Sequence, residues 1–157
     1  MAATAAAAIV AASTIAAHTV SAQNMRWGRC VVGVSYGAPF KMAVSYAAGR
    51  VWESEDGGGD YCDYVSTKVG IGGARIALGS SRTINALGGA AGLSVGVLRT
   101  FGSPWHAQPW SNHVGVAIHV LPVLALGGEL GYYVRVGSEA PGSPKRGVFT
   151  WSVGFGF

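Results

Sequence analysis

Large apolar residues alternate with small or polar residues along most of the chain after residue 29. In the clearest run, 123–136, Leu126 and Leu130 share one parity while Glu129 and Arg135 share the other. Successive side chains of a β-strand point to opposite faces, so this period of two predicts strands. The sequence therefore predicts an all-β fold. The same pattern gives seven candidate strands: Arg29–Gly37, Lys41–Trp52, Tyr64–Leu78, Ile84–Arg99, Asn112–Val120, Val123–Val136 and Gly147–Phe157.

The side chains on the two faces of these strands differ in size more than in polarity. One face carries bulky apolar side chains, and the other carries Gly, Ala and Ser with an occasional charge. A water-exposed sheet would instead present a face rich in Lys, Glu and Thr. Bulky residues against lipid and small residues in a narrow interior are typical of a membrane barrel. We therefore predict a closed antiparallel up-and-down transmembrane β-barrel, which leaves no unpaired backbone in lipid.

The strand number follows from the connections. Single-chain bacterial barrels have an even number of strands, so the seven candidates lack one. Glycines are abundant between Tyr64 and Arg99, and the alternation changes parity near Gly72-Gly73, so we place the missing strand there and predict eight. Short turns are expected at Gly79–Thr83 and Leu121–Pro122. Long loops are expected at the outward end at Glu53–Asp63, Thr100–Ser111 and Gly137–Arg146.

The first residues form a separate segment. Met1–Ala22 contains no Asp, Glu, Lys or Arg, is rich in alanine and ends in Val20-Ser21-Ala22, a small-x-small site typical of signal peptidase cleavage. We predict a signal peptide at 1–22 and a single barrel domain at 23–157. No other stretch has the roughly 20 consecutive apolar residues of a transmembrane helix. Strands would therefore have to cross the membrane.

Composition narrows the class further. Charged residues make up 11% of the chain and glycine contributes 25 of 157 residues, about half and about double the usual shares. No Gly-X-Y period or Pro-rich stretch is present, which argues against collagen and disorder. The formal charge of +4 is scattered, without the basic stripe typical of nucleic-acid binding. No phosphate loop, dinucleotide fingerprint or zinc spacing occurs, so we expect no cofactor, metal or nucleic acid.

The C-terminal strand carries the most specific pattern. Aromatic residues alternate in the run Gly147-Val-Phe-Thr-Trp-Ser-Val-Gly-Phe-Gly-Phe157. In this run the chain resembles small bacterial outer-membrane β-barrel proteins of the eight-stranded, filled type. The resemblance implies that Trp151, Phe155 and Phe157 form an insertion signal read by the barrel assembly machinery. It also implies a location in the bacterial outer membrane, with membrane lipids and lipopolysaccharide as partners.

Charged residues of inner parity predict a polar network in the lumen. Glu129, Tyr133 and Arg135 lie on one face of one strand, and Arg75 and Arg99 are candidates to join them. A charge in the membrane zone is costly unless it is paired, so we interpret the network as an ion-paired plug. The alternative is a small selective pore, which the narrow interior disfavours. The residues expected to face lipid are Leu126, Leu130, Tyr132, Phe149, Trp151 and Phe155.

One group of residues has the types needed for hydrolysis. His106, Ser111 and His113 lie in or beside one long loop, and Glu129 is the only carboxylate inside a predicted strand. Ser, His and an acid are the elements of a hydrolytic triad, but no G-x-S-x-G elbow is present. Ser111-Asn112-His113 also does not reproduce the His-x-Ser-Asn arrangement of the family's lipid A deacylases. We therefore predict no catalytic residues and interpret His106 and His113 as solvated loop histidines.

Charged loops offer two weaker candidates. Five of the seven acidic residues lie within Glu53–Asp63, around three consecutive glycines. Oxygen clusters bind calcium, but this spacing departs from an EF-hand loop, so a solvated loop is favoured. Lys145 and Arg146 are candidates to contact lipopolysaccharide phosphates.

The positions of the two cysteines and of the aromatic residues near strand ends bear on export and membrane insertion. Cys30 and Cys62 both lie in the exported part, where an oxidising compartment permits a disulfide, and the sequence leaves their pairing open. Aromatic residues near strand ends suit the interfacial girdles of membrane barrels. These are Trp27, Trp52, Trp105, Trp110, Trp151, Tyr132 and Tyr133.

These features predict an integral outer-membrane barrel with a structural or surface-interaction role and no catalysis. One alternative is a lipid A-modifying outer-membrane enzyme, which needs a reactive Ser or His near the outer leaflet. Another is a soluble periplasmic barrel that binds a small apolar ligand, which needs large apolar residues inside. The sequence leaves the extracellular partner and the oligomeric state open.

Overall fold

A computed structural model of the chain describes residues 26–53, 59–84, 89–123, 126–137 and 147–156. The predicted signal peptide at 1–22 lies outside these residues and stays a prediction. No helix in the described ranges is long and apolar enough to cross a bilayer. The strands are β1 (Arg26–Ala38), β2 (Lys41–Glu53), β3 (Asp60–Gly70), β4 (Gly73–Thr83), β5 (Ala90–Thr100), β6 (Asn112–Val123), β7 (Leu126–Val136) and β8 (Gly147–Phe155).

The eight strands form a closed antiparallel barrel in chain order. Each strand pairs with the strand before it, and β8 pairs with β1 to close the ring. The closing pair is short, running from Val34 opposite Phe155 to Ala38 opposite Trp151. The predicted all-β, up-and-down barrel with eight strands is therefore confirmed.

The eighth strand lies where the sequence predicted it. The candidate Tyr64–Leu78 is two strands, because a turn at Ile71 and Gly72 separates β3 from β4. The parity change seen in the sequence is this turn. Each remaining candidate corresponds to a single strand, with ends shifted by up to three residues except at the start of β5, which lies six residues after the predicted Ile84.

Both short turns predicted from the sequence are wrong. Gly79–Thr83 lies inside β4, and Leu121–Pro122 lies inside β6. The small residue at Gly79 makes room for the ring of Tyr64, since a Cβ atom there would lie 2.6 Å from ring atoms. Pro122 is accommodated because the register of β6 with β7 shifts around it, and proline is tolerated at such irregularities.

The barrel has a terminal end, where β1 begins and β8 finishes, and an opposite end that we call the loop end. The expectation that the three long loops share one end is wrong for Glu53–Asp63, which lies at the terminal end. This connection follows the second strand, and the chain returns to its starting end after every even-numbered strand. The connections at the loop end are 39–40, 71–72, 101–111 and 137–146, and those at the terminal end are 54–59, 84–89 and 124–125.

The faces of the strands confirm the predicted alternation. Leu130 and Tyr132 of β7 are more than half exposed, whereas Glu129 and Tyr133 are buried. On β8, Phe149 and Phe155 point outward, while Thr150 and Ser152 are buried. Every strand contributes large apolar side chains to the outer surface. One example from each, in chain order, is Val34, Val44, Val69, Ile76, Leu93, Ile118, Leu130 and Phe149.

The loop end is covered by its own connections. Phe40, from the turn between β1 and β2, is buried and packs in the lumen. The 101–111 loop is hydrogen-bonded to the two short turns of the loop end, 39–40 and 71–72. The backbone N–H of Trp105 donates to the Pro39 carbonyl, and that of Phe101 donates to the Gly72 carbonyl, each at 3.2 Å. This bracing fixes the loop over the mouth of the barrel.

Candidate functional site

The described part of the lumen contains one buried carboxylate and two buried cations. Glu129 of β7 receives two hydrogen bonds from Arg75 of β4, from Nη1 to Oε1 and from Nη2 to Oε2, both 2.7 Å long. Nζ of Lys68 in β3 lies 3.1 Å from Oε1. Each of the three side chains is at most 5% exposed. The bidentate arrangement uses the geometry in which arginine and carboxylate interact most strongly.

Neutral side chains complete this group. Nζ of Lys68 also donates to the Ser152 hydroxyl at 3.0 Å, and Nη1 of Arg75 donates to the Tyr133 hydroxyl at 3.3 Å. The Lys68 ammonium lies 5.6 Å from the centre of the Phe40 ring, within the range of a cation–π contact. We call the following residues the lumen cluster: Lys68, Arg75, Glu129, Tyr133 and Ser152.

The lumen cluster crosses the interior of the barrel. In a ring of eight strands, β3 and β7 are diametrically opposite, so the contact between Lys68 and Glu129 joins two opposite walls. Burying charges is costly, and removing one partner leaves an uncompensated charge worth about 3–5 kcal/mol. The lumen cluster therefore links opposite walls of the barrel, and loss of one of its charged side chains is expected to destabilise the folded protein.

The structure brings together part of the predicted network. Glu129 and Tyr133 meet through Arg75, which was a candidate from a neighbouring strand. Arg135 does not join them. Six residues along β7 separate it from Glu129, roughly 20 Å at the rise of a strand. Arg135 lies instead at the loop end, where its Nη1 donates to Oε1 of Gln108 at 2.8 Å.

Sequence analysis missed Lys68. It lies on the inner parity of β3 with Tyr64 and Ser66, while Val65 and Val69 point outward. That alternation was visible in the sequence. The sequence analysis treated 64–78 as a single strand. The turn inside this segment shifts the alternation by one residue, so inward positions are even-numbered in β3 and odd-numbered in β4. No single parity therefore placed Lys68 in the lumen.

A second polar pair lies toward the terminal end. The Tyr64 hydroxyl is 3.1 Å from Nε2 and 3.3 Å from Nδ1 of His119, and both residues are buried. Glycines make room for them, because a Cβ atom on Gly92 would overlap the imidazole, just as one on Gly79 would meet the phenol ring. Neither residue was singled out from the sequence, since their partners lie on non-adjacent strands.

The two cysteines are joined. Cys30 of β1 and Cys62 of β3 form a disulfide with Cα atoms 6.3 Å apart, a usual separation for such a bond. The bond passes the intervening strand β2 on its inner side, where Cys62 packs with Ala47 and Tyr64. It cross-links two strands that share no backbone ladder.

The candidate hydrolytic residues are not assembled into a triad. Both oxygens of Glu129 are occupied within the lumen cluster. The Ser111 hydroxyl lies 2.9 Å from that of Thr100 and donates to a backbone carbonyl of its own loop at 2.7 Å. His106 is exposed, whereas Ser111 and His113 are buried, so the expectation of solvated loop histidines is wrong for His113. Ser111 is bonded at the base of the loop, and His113 lies on the inward face of β6 with Ala117 and His119.

Aromatic residues on the outer face lie largely as predicted. Trp151 and Phe155 point outward from β8, and Phe157 lies outside the described residues. Tyr133 is buried in the lumen and belongs to no outer girdle. Arg99, a lumen candidate, is exposed on the outer face of β5. Tryptophans lie near both ends, with Trp27 and Trp52 toward the terminal end and Trp105 and Trp110 in the loop-end connection.

The charged loops show no assembled site in the described ranges. Asp60 and Asp63 are exposed, and Glu55–Asp56 lies outside the described residues. No three His, Cys, Asp or Glu side chains of the described residues are grouped as metal ligands. Lys145–Arg146 also lies outside the described residues, so a contact with lipopolysaccharide phosphates stays a prediction.

Two cavities adjoin these groups. One, of about 30 Å³, is lined by Lys68, Arg75, Glu129, Tyr64 and His119, together with wall residues of β1–β3. The other, of about 490 Å³, is an open cleft at the loop end whose polar lining comes from His106, Gln108, His113 and Arg135.

Comparison with known proteins adds no relative. No model of a protein family matches the chain, and no curated protein or solved structure shows significant similarity to it. What can be concluded about this protein therefore comes from its own residues: it is an eight-stranded closed antiparallel β-barrel.

Proposed function

We propose that this protein is an integral barrel of a bacterial outer membrane with a structural or surface-interaction role. The observation that carries the proposal is the outer surface, on which all eight strands expose large apolar side chains while the charged side chains of Lys68, Arg75 and Glu129 are buried inside. Soluble monomers rarely expose contiguous apolar patches larger than a few hundred Å². Lipid is the solvent that suits such a surface.

The filled lumen favours a structural role over transport. The lumen cluster joins opposite walls, and Phe40 with the 101–111 loop covers the loop end. An eight-stranded barrel has an interior just wide enough for side chains. We therefore propose that the protein conducts no solute and presents its loop-end connections to the cell exterior.

Export is supported by two independent features. The Cys30–Cys62 disulfide suits the oxidising compartments outside the cytoplasm, and Val20-Ser21-Ala22 suits signal peptidase cleavage. On this proposal the barrel assembly machinery reads Trp151, Phe155 and Phe157 during insertion, and membrane lipids and lipopolysaccharide surround the barrel.

The alternatives have weaker support. A barrel that binds a small apolar ligand needs apolar residues inside, whereas this lumen is crossed by an ion-paired cluster and the cavity beside it is only about 30 Å³. A lipid A-modifying enzyme needs an assembled nucleophile and base near the outer leaflet. Ser111 is instead committed to hydrogen bonds within its own loop.

Fractionation of expressing cells tests the location. The full chain should be recovered in outer membranes, begin at Gln23 on N-terminal sequencing and migrate differently on gels before and after boiling, as a folded barrel does. A matched variant that lacks residues 2–22 should stay in the cytoplasm. Recovery of the intact full chain in a soluble fraction would overturn the proposal.

Planar-bilayer recording tests the absence of a pore. Purified protein should add no stepwise conductance, because the cluster and the covered mouth block the lumen. Reproducible steps that disappear when the protein is omitted would show that the barrel is a channel.

A further inference from the structure

Three arginines lie close together at the terminal end of the barrel. Arg26 and Arg29 belong to β1 and Arg50 belongs to β2, and all three are exposed. Arg50 lies directly opposite Trp27, which places it next to both arginines of β1. The ion pairs between described residues are both in the lumen cluster, so no described carboxylate neutralises these three guanidinium groups. We call Arg26, Trp27, Arg29 and Arg50 the arginine patch.

The arginine patch lies where the apolar outer surface ends. On β2, the exposed outward residues between the loop end and Arg50 are Met42, Val44 and Tyr46. Arg50 is eight residues beyond Met42, which is about 27 Å along the strand and roughly 20 Å along the membrane normal at the usual tilt of a barrel strand. That height is close to the apolar band of about 25 Å in membrane barrels. The arginines are therefore placed where hydrocarbon gives way to headgroups.

The backbone of β1 indicates the same level. Residues 26–33 pair with β2 but are not in register with β8, whose pairing with β1 begins at Val34. An unpaired strand edge is not tolerated in hydrocarbon, so the start of β1 has to lie among headgroups or in water. Trp27 is 73% exposed, and exposed tryptophan rings settle at the membrane interface.

The positive charge is confined to one side of the barrel. At the same end of β5–β8, the exposed outward side chains are apolar, namely Leu93, Val120, Leu126 and Phe155. The nearest described acid is Asp63 of β3, which lies opposite Arg50 and is exposed. Arg26 and Arg29 lie on the far side of β2 from it, because β1 shares no ladder with β3. The patch is thus a local site and not part of a uniform charged belt.

We propose that the arginine patch binds the headgroup of an anionic phospholipid in the leaflet at the terminal end. This inference rests on the proposed function, which turns that end toward the periplasm. Guanidinium groups donate forked hydrogen bonds to phosphate oxygens, and the Trp27 ring is placed to pack against the top of the acyl chains. A basic residue at a membrane surface strengthens binding of anionic lipid about fivefold, so several neighbouring arginines favour anionic over zwitterionic headgroups.

Native mass spectrometry of the folded protein in detergent tests the site. Phosphatidylglycerol should bind at least about tenfold more tightly than phosphatidylcholine with the same acyl chains. The double variant Arg29→Gln/Arg50→Gln should weaken phosphatidylglycerol binding roughly 25-fold, about fivefold for each arginine. Arg99→Gln is the matched control, because Arg99 is an exposed outward arginine at the loop end, and it should change binding less than about twofold. Equal binding of both lipids, or equal loss in the two variants, would overturn the proposal.

A variant of opposite sign separates charge from folding. Asp63→Asn removes the acid opposite Arg50 and should strengthen phosphatidylglycerol binding about twofold to fivefold. Unchanged or weaker binding would show that charge at this place does not govern lipid binding, and the proposal would be wrong. Glycerol phosphate at the same concentration should not displace the lipid. Displacement would mean that the patch takes free phosphate and not a lipid headgroup.

Tryptophan quenching in vesicles needs no charge variant. Wild-type protein folded into mixed vesicles should be quenched more by brominated phosphatidylglycerol than by brominated phosphatidylcholine at equal mole fraction. Trp27→Phe should remove most of this excess, whereas Trp110→Phe, which changes a 71% exposed tryptophan of the loop end, should keep it. Equal quenching by the two lipids would reject the lipid preference and leave membrane insertion standing. A protein that inserts into neither kind of vesicle would refute the proposed function as well.

Discussion

Leu130→Arg separates a lipid-facing barrel from a water-facing one. Leu130 is 56% exposed on the outer face and lies near the middle of β7, opposite Ile118 and Trp151 on the neighbouring strands. In a bilayer, arginine at mid-depth on the lipid face of a barrel costs about 2–4 kcal/mol. That cost corresponds to about a 30-fold to 700-fold change in the folding equilibrium.

Val136→Arg is the matched control for this prediction. Val136 lies on the same face of the same strand but at its loop-end terminus, and it is 45% exposed. A charge near the membrane interface costs only about 0–1 kcal/mol. In water, neither substitution on so exposed a position should cost more than about 0.5 kcal/mol.

The assay is reversible folding from urea into phospholipid vesicles, followed by tryptophan fluorescence and by gel mobility without boiling. Leu130→Arg should lose clearly more folding free energy than Val136→Arg. Near-zero and equal losses for the two variants would refute the argument that the outer face meets lipid, and with it the main support for a membrane protein.

Three further predictions concern the interior, the disulfide and the C-terminus. Arg75→Met should lose about 3–5 kcal/mol in urea titrations because the lumen carboxylate stays buried without its bidentate partner, whereas Arg99→Met should change stability by less than about 0.5 kcal/mol. The double variant Cys30→Ser/Cys62→Ser should lose about 3–4 kcal/mol, given a loop of 32 residues, and should match the wild type once the latter is reduced. Deleting Phe157 should lower stability in detergent by on the order of 1.5–3 kcal/mol but should impair assembly in cells much more, and normal assembly in cells would contradict the insertion-signal hypothesis.

The fold was accessible to sequence analysis because period-two alternation is a local signal. Strand type and facing direction depend on neighbours two residues apart, and strand number depends on a single parity change near Gly72-Gly73, where the turn lies. Turns were harder to predict from the sequence, because a small residue can indicate either a turn or a close packing contact. Gly79 resembles a turn residue in the sequence, but it is small because Tyr64 of the preceding strand, β3, occupies that space.

The lumen cluster was only partly predictable for a different reason. Parity shows which side chains point inward but not the height at which each one lies. Glu129 and Arg135 share a face, yet only register across the sheet reveals that Arg75 and Lys68 reach the carboxylate and Arg135 does not. The Cys30–Cys62 bond likewise links strands that are not neighbours, so pattern along the chain could not decide it.

The short closing pair between β1 and β8 makes the two ends of the barrel domain unequal. β8 contributes its last five residues to this seam, Trp151 through Phe155, whereas β1 contributes Val34 through Ala38 and has eight residues upstream that pair only with β2. Trimming β1 from its start would therefore spare the seam, while each residue removed from the end of β8 would shorten it. Closure of the cylinder depends on the last part of the domain to leave the ribosome, so an incomplete chain remains an open sheet.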